Sequence, residues 1–142
     1  MSNKIEHVNL HVSDIDRVLG FLKCAFPEFY VRYDSESSEE ERWVHFGNAD
    51  NYFALYQASD VSSPKRRLYS SSPGINHIGL VVEDVVAIRQ RLSGAGYLES
   101  TIDNFHPARS RIYFHDPDGN DWEFIQYFTD VEEERNDYSS RG

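Results

Sequence analysis

The chain repeats itself, and no other feature constrains its fold as much. A shift carrying residue 7 onto residue 77 lays Ile5-Glu6-His7-Val8-Asn9-Leu10-His11-Val12-Ser13-Asp14 on Ile75-Asn76-His77-Ile78-Gly79-Leu80-Val81-Val82-Glu83-Asp84. Identities fall at Ile5/Ile75, His7/His77, Leu10/Leu80, Val12/Val82 and Asp14/Asp84, and Val8/Ile78 conserves size and branching. Farther on, Leu22 meets Leu92 and Ala25 meets Ala95, and near the end of each half Phe46 corresponds to Phe114. Phe53-Ala54-Leu55-Tyr56-Gln57 corresponds to Trp122-Glu123-Phe124-Ile125-Gln126. Two copies are too few for a solenoid, so the halves pair with each other or with the halves of a second chain.

Both copies read as βαβββ, an α+β arrangement. Residues 4–12 alternate as a strand, Val8, Leu10 and Val12 on one face and His7, Asn9 and His11 on the other. Ser13 is the expected N-cap, with Asp16 complementing the helix dipole. Ile15, Val18, Leu19, Leu22 and Phe26 follow at helical spacing until Pro27 ends the run. In copy two, 75–82 is the strand. Val85, Ile88, Leu92 and Ala95 form the helical stripe, and Gly94 and Gly96 stop it. Three strands are expected after each helix, at 29–34, 42–47 and 52–58, then at 97–102, 110–115 and 121–128. Asp116-Pro117-Asp118-Gly119-Asn120 is a turn that makes the last two a hairpin. The expected organisation is one domain over 1–130: module one 4–58, linker 59–73, module two 74–128. An acidic tail at 131–142 is expected to be mobile beyond a short helical extension.

Composition excludes several functions. Twenty-four acidic against fourteen basic residues give a net charge of −10, which repels phosphate backbones and anionic lipid, so no nucleic acid and no membrane is expected as partner. Lys65-Arg66-Arg67 reads as a solvated loop. No apolar run approaches the roughly 20 residues of a membrane helix, and no signal peptide is apparent. A single cysteine, Cys24, rules out a disulfide framework and a Cys-rich zinc site. These features point to a soluble, cytoplasmic protein.

The repeat also suggests a metal. Paired copies of one unit curl their sheets around a shared cavity and bring equivalent strand positions to face it. His7 and His77 are equivalent, and Glu123 shares a strand face with Ile125 and Tyr127. Two imidazoles and one carboxylate leave coordination positions open and suit Fe(II), Mn(II), Ni(II), Co(II) or Zn(II). Such an ion chelates two neighbouring oxygens and stabilises an oxyanion or enolate.

The sequence resembles the vicinal oxygen chelate superfamily, which holds glyoxalase I, fosfomycin-resistance transferases, extradiol dioxygenases, methylmalonyl-CoA epimerase and bleomycin-resistance proteins. The carriers are residues 5–14, Asn76-His77-Ile78-Gly79-Leu80-Val81-Val82, and Tyr113-Phe114-His115-Asp116-Pro117-Asp118-Gly119-Asn120-Asp121-Trp122-Glu123-Phe124, within a likeness spanning 4–128. The resemblance implies two tandem βαβββ modules forming a U-shaped half-barrel around a metal site on His7, His77 and Glu123. The further glutamate ligand of glyoxalase I falls on Ala54, which cannot coordinate. Three ligands instead resemble the extradiol dioxygenases and the fosfomycin-modifying enzymes.

The expected activity is therefore that of a metal-dependent lyase or isomerase of glyoxalase type, or an extradiol-type dioxygenase, acting on a small molecule with vicinal oxygens. Glu123, His11 and Tyr113 are the candidate catalytic groups, and Arg109 and Arg111 are candidates to hold a substrate anion. His45 and His106 are not expected as ligands. The alternatives are a non-catalytic binding or resistance protein of bleomycin-resistance type, and a thiol transferase of fosfomycin-resistance type. A homodimer is expected, with modules pairing within one chain or across two.

Overall fold

The computed structural model describes residues 2–36, 41–62, 68–102 and 105–139, so the Lys65-Arg66-Arg67 cluster and most of the acidic 35–41 loop lie outside it. The chain forms two compact units, Met1–Lys65 and Arg66–Gly142.

In unit one, β1 (His7–Val12), α1 (Ile15–Ala25), β2 (Tyr30–Asp34), β3 (Trp43–Gly47) and β4 (Tyr52–Gln57) build a four-stranded sheet in the order β1-β4-β3-β2. The first and last strands lie side by side in parallel, and the remaining pairs are antiparallel. In unit two, β5 (His77–Val81), α2 (Val85–Gly94), β6 (Arg109–His115) and β7 (Asp121–Tyr127) repeat this plan in the order β5-β7-β6, with β5 parallel to β7. The fold is thus mixed α+β with two open sheets, neither closed into a barrel.

The strand expected over 97–102 forms only as an isolated bridge, Glu99 to Phe114. His115 N donates to Leu98 O and Ser100 N to Tyr113 O, but Tyr113 N donates to the Thr101 side chain at 2.8 Å. A hydroxyl takes the place of a backbone carbonyl, and the ladder stops there.

The helix starts correct another expectation. The cap is Asp14, one residue beyond Ser13, and its Oδ1 accepts from Arg17 N at 3.1 Å. The equivalent Asp84 accepts from Ala87 N at 3.0 Å. A second repeated residue completes each start. Gln57 Oε1 accepts from Ile15 N and Gln57 Nε2 donates to Ser13 O, while Gln126 Oε1 accepts from Val85 N. These bonds satisfy groups that a helix terminus leaves without partners and tie each helix to the last strand of its own unit. Helix α2 closes on Gly96 at φ 89°, with Tyr97 N donating to Leu92 O. Ala95 becomes the exposed C-cap and leaves the buried stripe.

Helix α1 buries Ile15, Val18, Leu19 and Leu22 in the unit that also buries Val44, Phe46, Phe53 and Leu55. Unit two buries Val85, Ile88 and Leu92 of α2 together with Ile112, Phe114, Trp122 and Phe124. Among the described residues no helix is long and apolar enough to cross a membrane.

Residues 131–139 make specific contacts with the rest of unit two. After α3 (Glu132–Arg135), Arg109 Nη1 donates to Arg135 O at 3.0 Å and Asp137 O at 3.3 Å. His106 Nδ1 accepts from Ala108 N, which leaves its Nε2–H to donate to Asp137 O at 2.8 Å. Arg109 also lies over Tyr138, and Arg135 over Tyr127. Sequence patterning gave no sign of these contacts, because the tail contributes backbone carbonyls as acceptors while the donors, Arg109 and His106, lie outside it.

Buried Asp116 organises the hairpin turn. It accepts from Asp118 N, Asn120 N, Asn120 Nδ2 and Trp122 Nε1 at 2.8 to 3.0 Å. Asp116→Ala is expected to cost about 2–4 kcal/mol, since it orphans the fully buried Trp122 indole N–H. Denaturant unfolding should show a lower midpoint with an unchanged slope.

On the other unit, Arg42 binds Asp34 at 2.8 Å and lowers the Asp34 pKa below its unfolded value of 3.8. That stabilisation is present above about pH 3.8 and is lost as pH falls through the lower folded value. The stability difference between wild type and Arg42→Gln should be largest near neutrality and shrink below pH 3.8.

Candidate functional site

The open face of the unit-two sheet is polar where its other face is core. Along β7, Asp121, Glu123, Ile125 and Tyr127 alternate with Trp122, Phe124 and Gln126. Register sets Gly79 of β5 and Tyr113 of β6 on either side of Glu123, and His77 and His115 on either side of Asp121. In unit one, the matching register sets Asn9 opposite Ala54. The repeat therefore places Ala54 where copy two has its carboxylate.

Glu123 is only 7% exposed, an unusual position for a carboxylate. Its Oε2 lies 3.1 Å from Nε2 of His77, and its Oε1 lies 3.8 Å from Nη1 of Arg111. Tyr113 lies beside it, and burial, followed by the Glu123 charge, pushes the phenol up to about 12. The Tyr113 ring meets the His77 ring edge-on at 5.5 Å. Gly79 makes room for this arrangement, because a Cβ there would sit 3.3 Å from Glu123 Oε2.

A layer behind His77 orients it. Asn76 Oδ1 accepts from Tyr69 N at 2.6 Å, so the amide turns its Nδ2 towards His77 Nδ1 at 3.0 Å. Nδ1 then accepts, and the proton of the neutral ring lies on Nε2, facing Glu123. The Tyr69 hydroxyl donates to Asp121, which also accepts from Ser100 Oγ at 2.7 Å and faces His115 Nδ1 at 3.5 Å. Burial and the Asp121 contact raise the Tyr69 pKa. Tyr69, Asn76, Gly79 and Asp121 were not picked out from sequence. Asp121 and Glu123 did carry a signal, two carboxylates at strand spacing inside an apolar stretch. Tyr69 carried none, because it lies in a segment without pattern.

In unit one, His7 Nδ1 binds Glu6 Oε1 at 2.9 Å, and the ring stacks on Tyr52 at 4.9 Å. That bond, with the Tyr52 hydroxyl, lowers the Glu6 pKa. A carboxylate accepting from Nδ1–H presents Nε2 as the ring's electron-pair donor. His11 stacks on Tyr56 at 5.7 Å. His45 lies between Tyr52 and Trp43, with centroids at 4.5 and 4.9 Å, and burial lowers its pKa. His106 and Arg109 serve the C-terminal segment, as described above.

The structure thus brings His77, Glu123, Tyr113 and Arg111 together on one sheet face, while His7 and His11 lie on unit one. Among the described residues, no group of three or more His, Cys, Asp or Glu side chains could hold a metal ion. The donors that are present nevertheless fit a divalent ion. An imidazole nitrogen and a buried carboxylate oxygen point at one another across 3.1 Å, and both belong to the ligand types such ions take. Uptake would require the Nε2 proton of His77 to leave that atom.

Two open sheets, each with its first and last strands parallel and a helix between, define a duplicated βαβββ-type protein with a polar face on its second copy. The chain belongs to the glyoxalase/bleomycin resistance protein/dioxygenase superfamily, whose family model matches residues 4–124. It is 38% identical over 137 residues to the trivalent organoarsenical cleaving enzyme of Bacillus sp. (strain MD1), covering 92% of this chain and 77% of the relative. Its fold is similar to that of the fosfomycin resistance protein FosX from Listeria monocytogenes, with a TM-score of 0.71 at 22% identity, covering 95% of this chain and 97% of FosX. A FosX structure complexed with Mn(II) and sulfate gives 0.70 at 21%, covering 95% and 96%. TnmS3, an antibiotic-binding protein from Streptomyces sp. CB03234, gives 0.61 at 21%, covering 89% and 97%.

Gly79→Ala is expected to leave the fold intact while its Cβ displaces the Glu123 carboxylate by a few tenths of an ångström. The ¹⁵N shifts of the His77 ring should move relative to wild type. An unchanged His77 spectrum would mean that Glu123 does not depend on the space left by the glycine.

Proposed function

We propose that this chain is a metal-dependent enzyme acting on a small molecule with two neighbouring oxygens, and that His77, Glu123 and His7 hold the ion. The observation carrying this reading is the buried Glu123 carboxylate aimed at Nε2 of His77 at 3.1 Å. Burying a carboxylate is costly unless it is well compensated, and a divalent ion supplies the compensation that a neutral imidazole and a guanidinium 3.8 Å away do not. Fe, Mn, Ni, Co and Zn all suit the donors. When bound, such an ion supplies chelation of two substrate oxygens and stabilisation of the negative charge that develops on them.

The chain's own groups then divide the remaining work. Glu6 fixes the His7 ring with Nε2 free to ligate, whereas Asn76 orients the His77 ring with a proton on Nε2 that the ion would displace. The Tyr113 hydroxyl, beside Glu123, is placed to donate to a substrate oxygen, and His11 is the candidate proton carrier of unit one. The relative from Bacillus, named as a cleaving enzyme, favours a bond-breaking reaction of lyase or dioxygenase type. Trivalent arsenic, however, is soft and thiophilic, and this chain has one cysteine, Cys24 on α1. It cannot chelate arsenic between two thiols of its own, so an oxygen-rich organic substrate fits its residues better.

One observation favours a second reading, small-molecule binding without chemistry. His7, Tyr52, His45, Trp43 and Tyr56 form a continuous chain of stacked or tilted rings on the unit-one sheet, a surface suited to planar ligands.

Elemental analysis of protein purified without added metal separates the two. About one equivalent of a transition metal in wild type, lost in Glu123→Ala and His77→Ala, is the expected result. Protein that stays metal-free after dialysis against Fe(II), Mn(II), Ni(II), Co(II) and Zn(II) would replace the enzyme reading with the binding one.

A further inference from the structure

The two arginines at the start of β6 share one sheet face and have different employment. Arg109 is consumed by the C-terminal segment, donating to the carbonyls of Arg135 and Asp137. Arg111 is not. Its Nε is buried and has no hydrogen-bond partner among the described residues, and its Nη1 stands 3.8 Å from Glu123 Oε1, beyond hydrogen-bond reach. A buried guanidinium N–H without an acceptor is unfavourable.

The charge balance sharpens the point and rests on the metal reading above. With a divalent ion on neutral imidazoles and Glu123, the local charges are +2 from the ion, −1 from Glu123 and +1 from Arg111. The nearby Asp121, held by Tyr69 and Ser100, and Glu6, bound to His7, offset that charge without touching Arg111. Coordination also withdraws Glu123 electron density from Arg111. The guanidinium, whose exposed Nη end has only Glu123 at 3.8 Å for an anionic neighbour, calls for an oxyanion lying against Arg111 and the ion together.

We propose that Arg111 is the anion-recognition residue of this site, and that the substrate carries an oxyanionic group next to the oxygens it presents to the ion. Arginine suits this task because its planar fork can bind two oxygens at once.

The test is binding, read by the electron paramagnetic resonance of free Mn(II), with inorganic sulfate as the probe because it is a divalent oxyanion that keeps Mn(II) in solution. In wild type, sulfate should strengthen Mn(II) retention, and Mn(II) should strengthen sulfate binding by the same factor. Arg111→Gln should weaken sulfate binding to the loaded protein roughly 10- to 100-fold. Without sulfate it should hold Mn(II) at least as tightly as wild type, a like charge having been removed. Arg111→Lys should retain part of the sulfate effect, and circular dichroism checks that both variants fold. Mn(II) uptake with an equal sulfate effect in wild type and Arg111→Gln would overturn this inference alone. No Mn(II) uptake by wild type would overturn the metal reading, and this inference with it.

Discussion

In each unit the arrangement depends on the parallel pairing of its first and last strands. The pairing is not a local event, since β1 reaches β4 and β5 reaches β7 only after a helix and the intervening strands have been laid down. Parallel strands need a crossover long enough to bring the chain back, and α1 and α2 are part of those crossovers. The glutamines at the strand ends join the two events. Gln57 and Gln126 each accept from the first helical N–H of their own unit, so closing the parallel pair also seats the helix. That gives this residue, at the end of the core face of each last strand, the same task in both copies.

The same pairing creates the polar face of unit two. Register sets Glu123 against Gly79, where a Cβ would sit 3.3 Å from the carboxylate turned towards His77 and would crowd it. Tyr113 and Arg111 arrive from the antiparallel side, on β6. The face therefore gathers a buried carboxylate, an oriented imidazole, a phenol and a guanidinium within three strands. Unit one has the same backbone plan, but Asn9 and Ala54 occupy the corresponding positions. Its face is instead a run of aromatic and histidine rings, with Arg32 over Tyr52 at 4.2 Å. Duplication supplied one scaffold, and the side chains gave its copies different chemistry.

Much of this was legible in the chain, for identifiable reasons. The helices were legible because their apolar spacing is helical, and the hairpin because Asp116-Pro117-Asp118-Gly119-Asn120 permits little but a turn. His77 and Glu123 were legible because a duplicated histidine and a carboxylate at strand spacing both stand out from apolar surroundings. The strand at 97–102 misled, because Thr101 competes for Tyr113 N with a side-chain oxygen that alternation cannot foresee. The helix cap misled by one residue because Ser13 and Asp14 are both good caps, and Gln57 claims the Ser13 carbonyl. The contacts of the C-terminal segment were not legible, because a charged sequence gives no sign that a distant Arg109 and His106 will bind its carbonyls.

What the sequence determined by itself is the duplication, the α+β elements of each copy and the residue types available to the candidate site, since periodicity and identity between copies are properties of the chain alone. Tertiary structure decided which of those residues meet. His77 and Glu123 are 46 positions apart in sequence and 3.1 Å apart in space, and Tyr69, Asn76 and Asp121 join them through bonds that no local pattern encodes. The physical reason is that strand register and side-chain hydrogen bonding are set by long-range pairing, where a single glycine or a single hydroxyl decides which groups face one another.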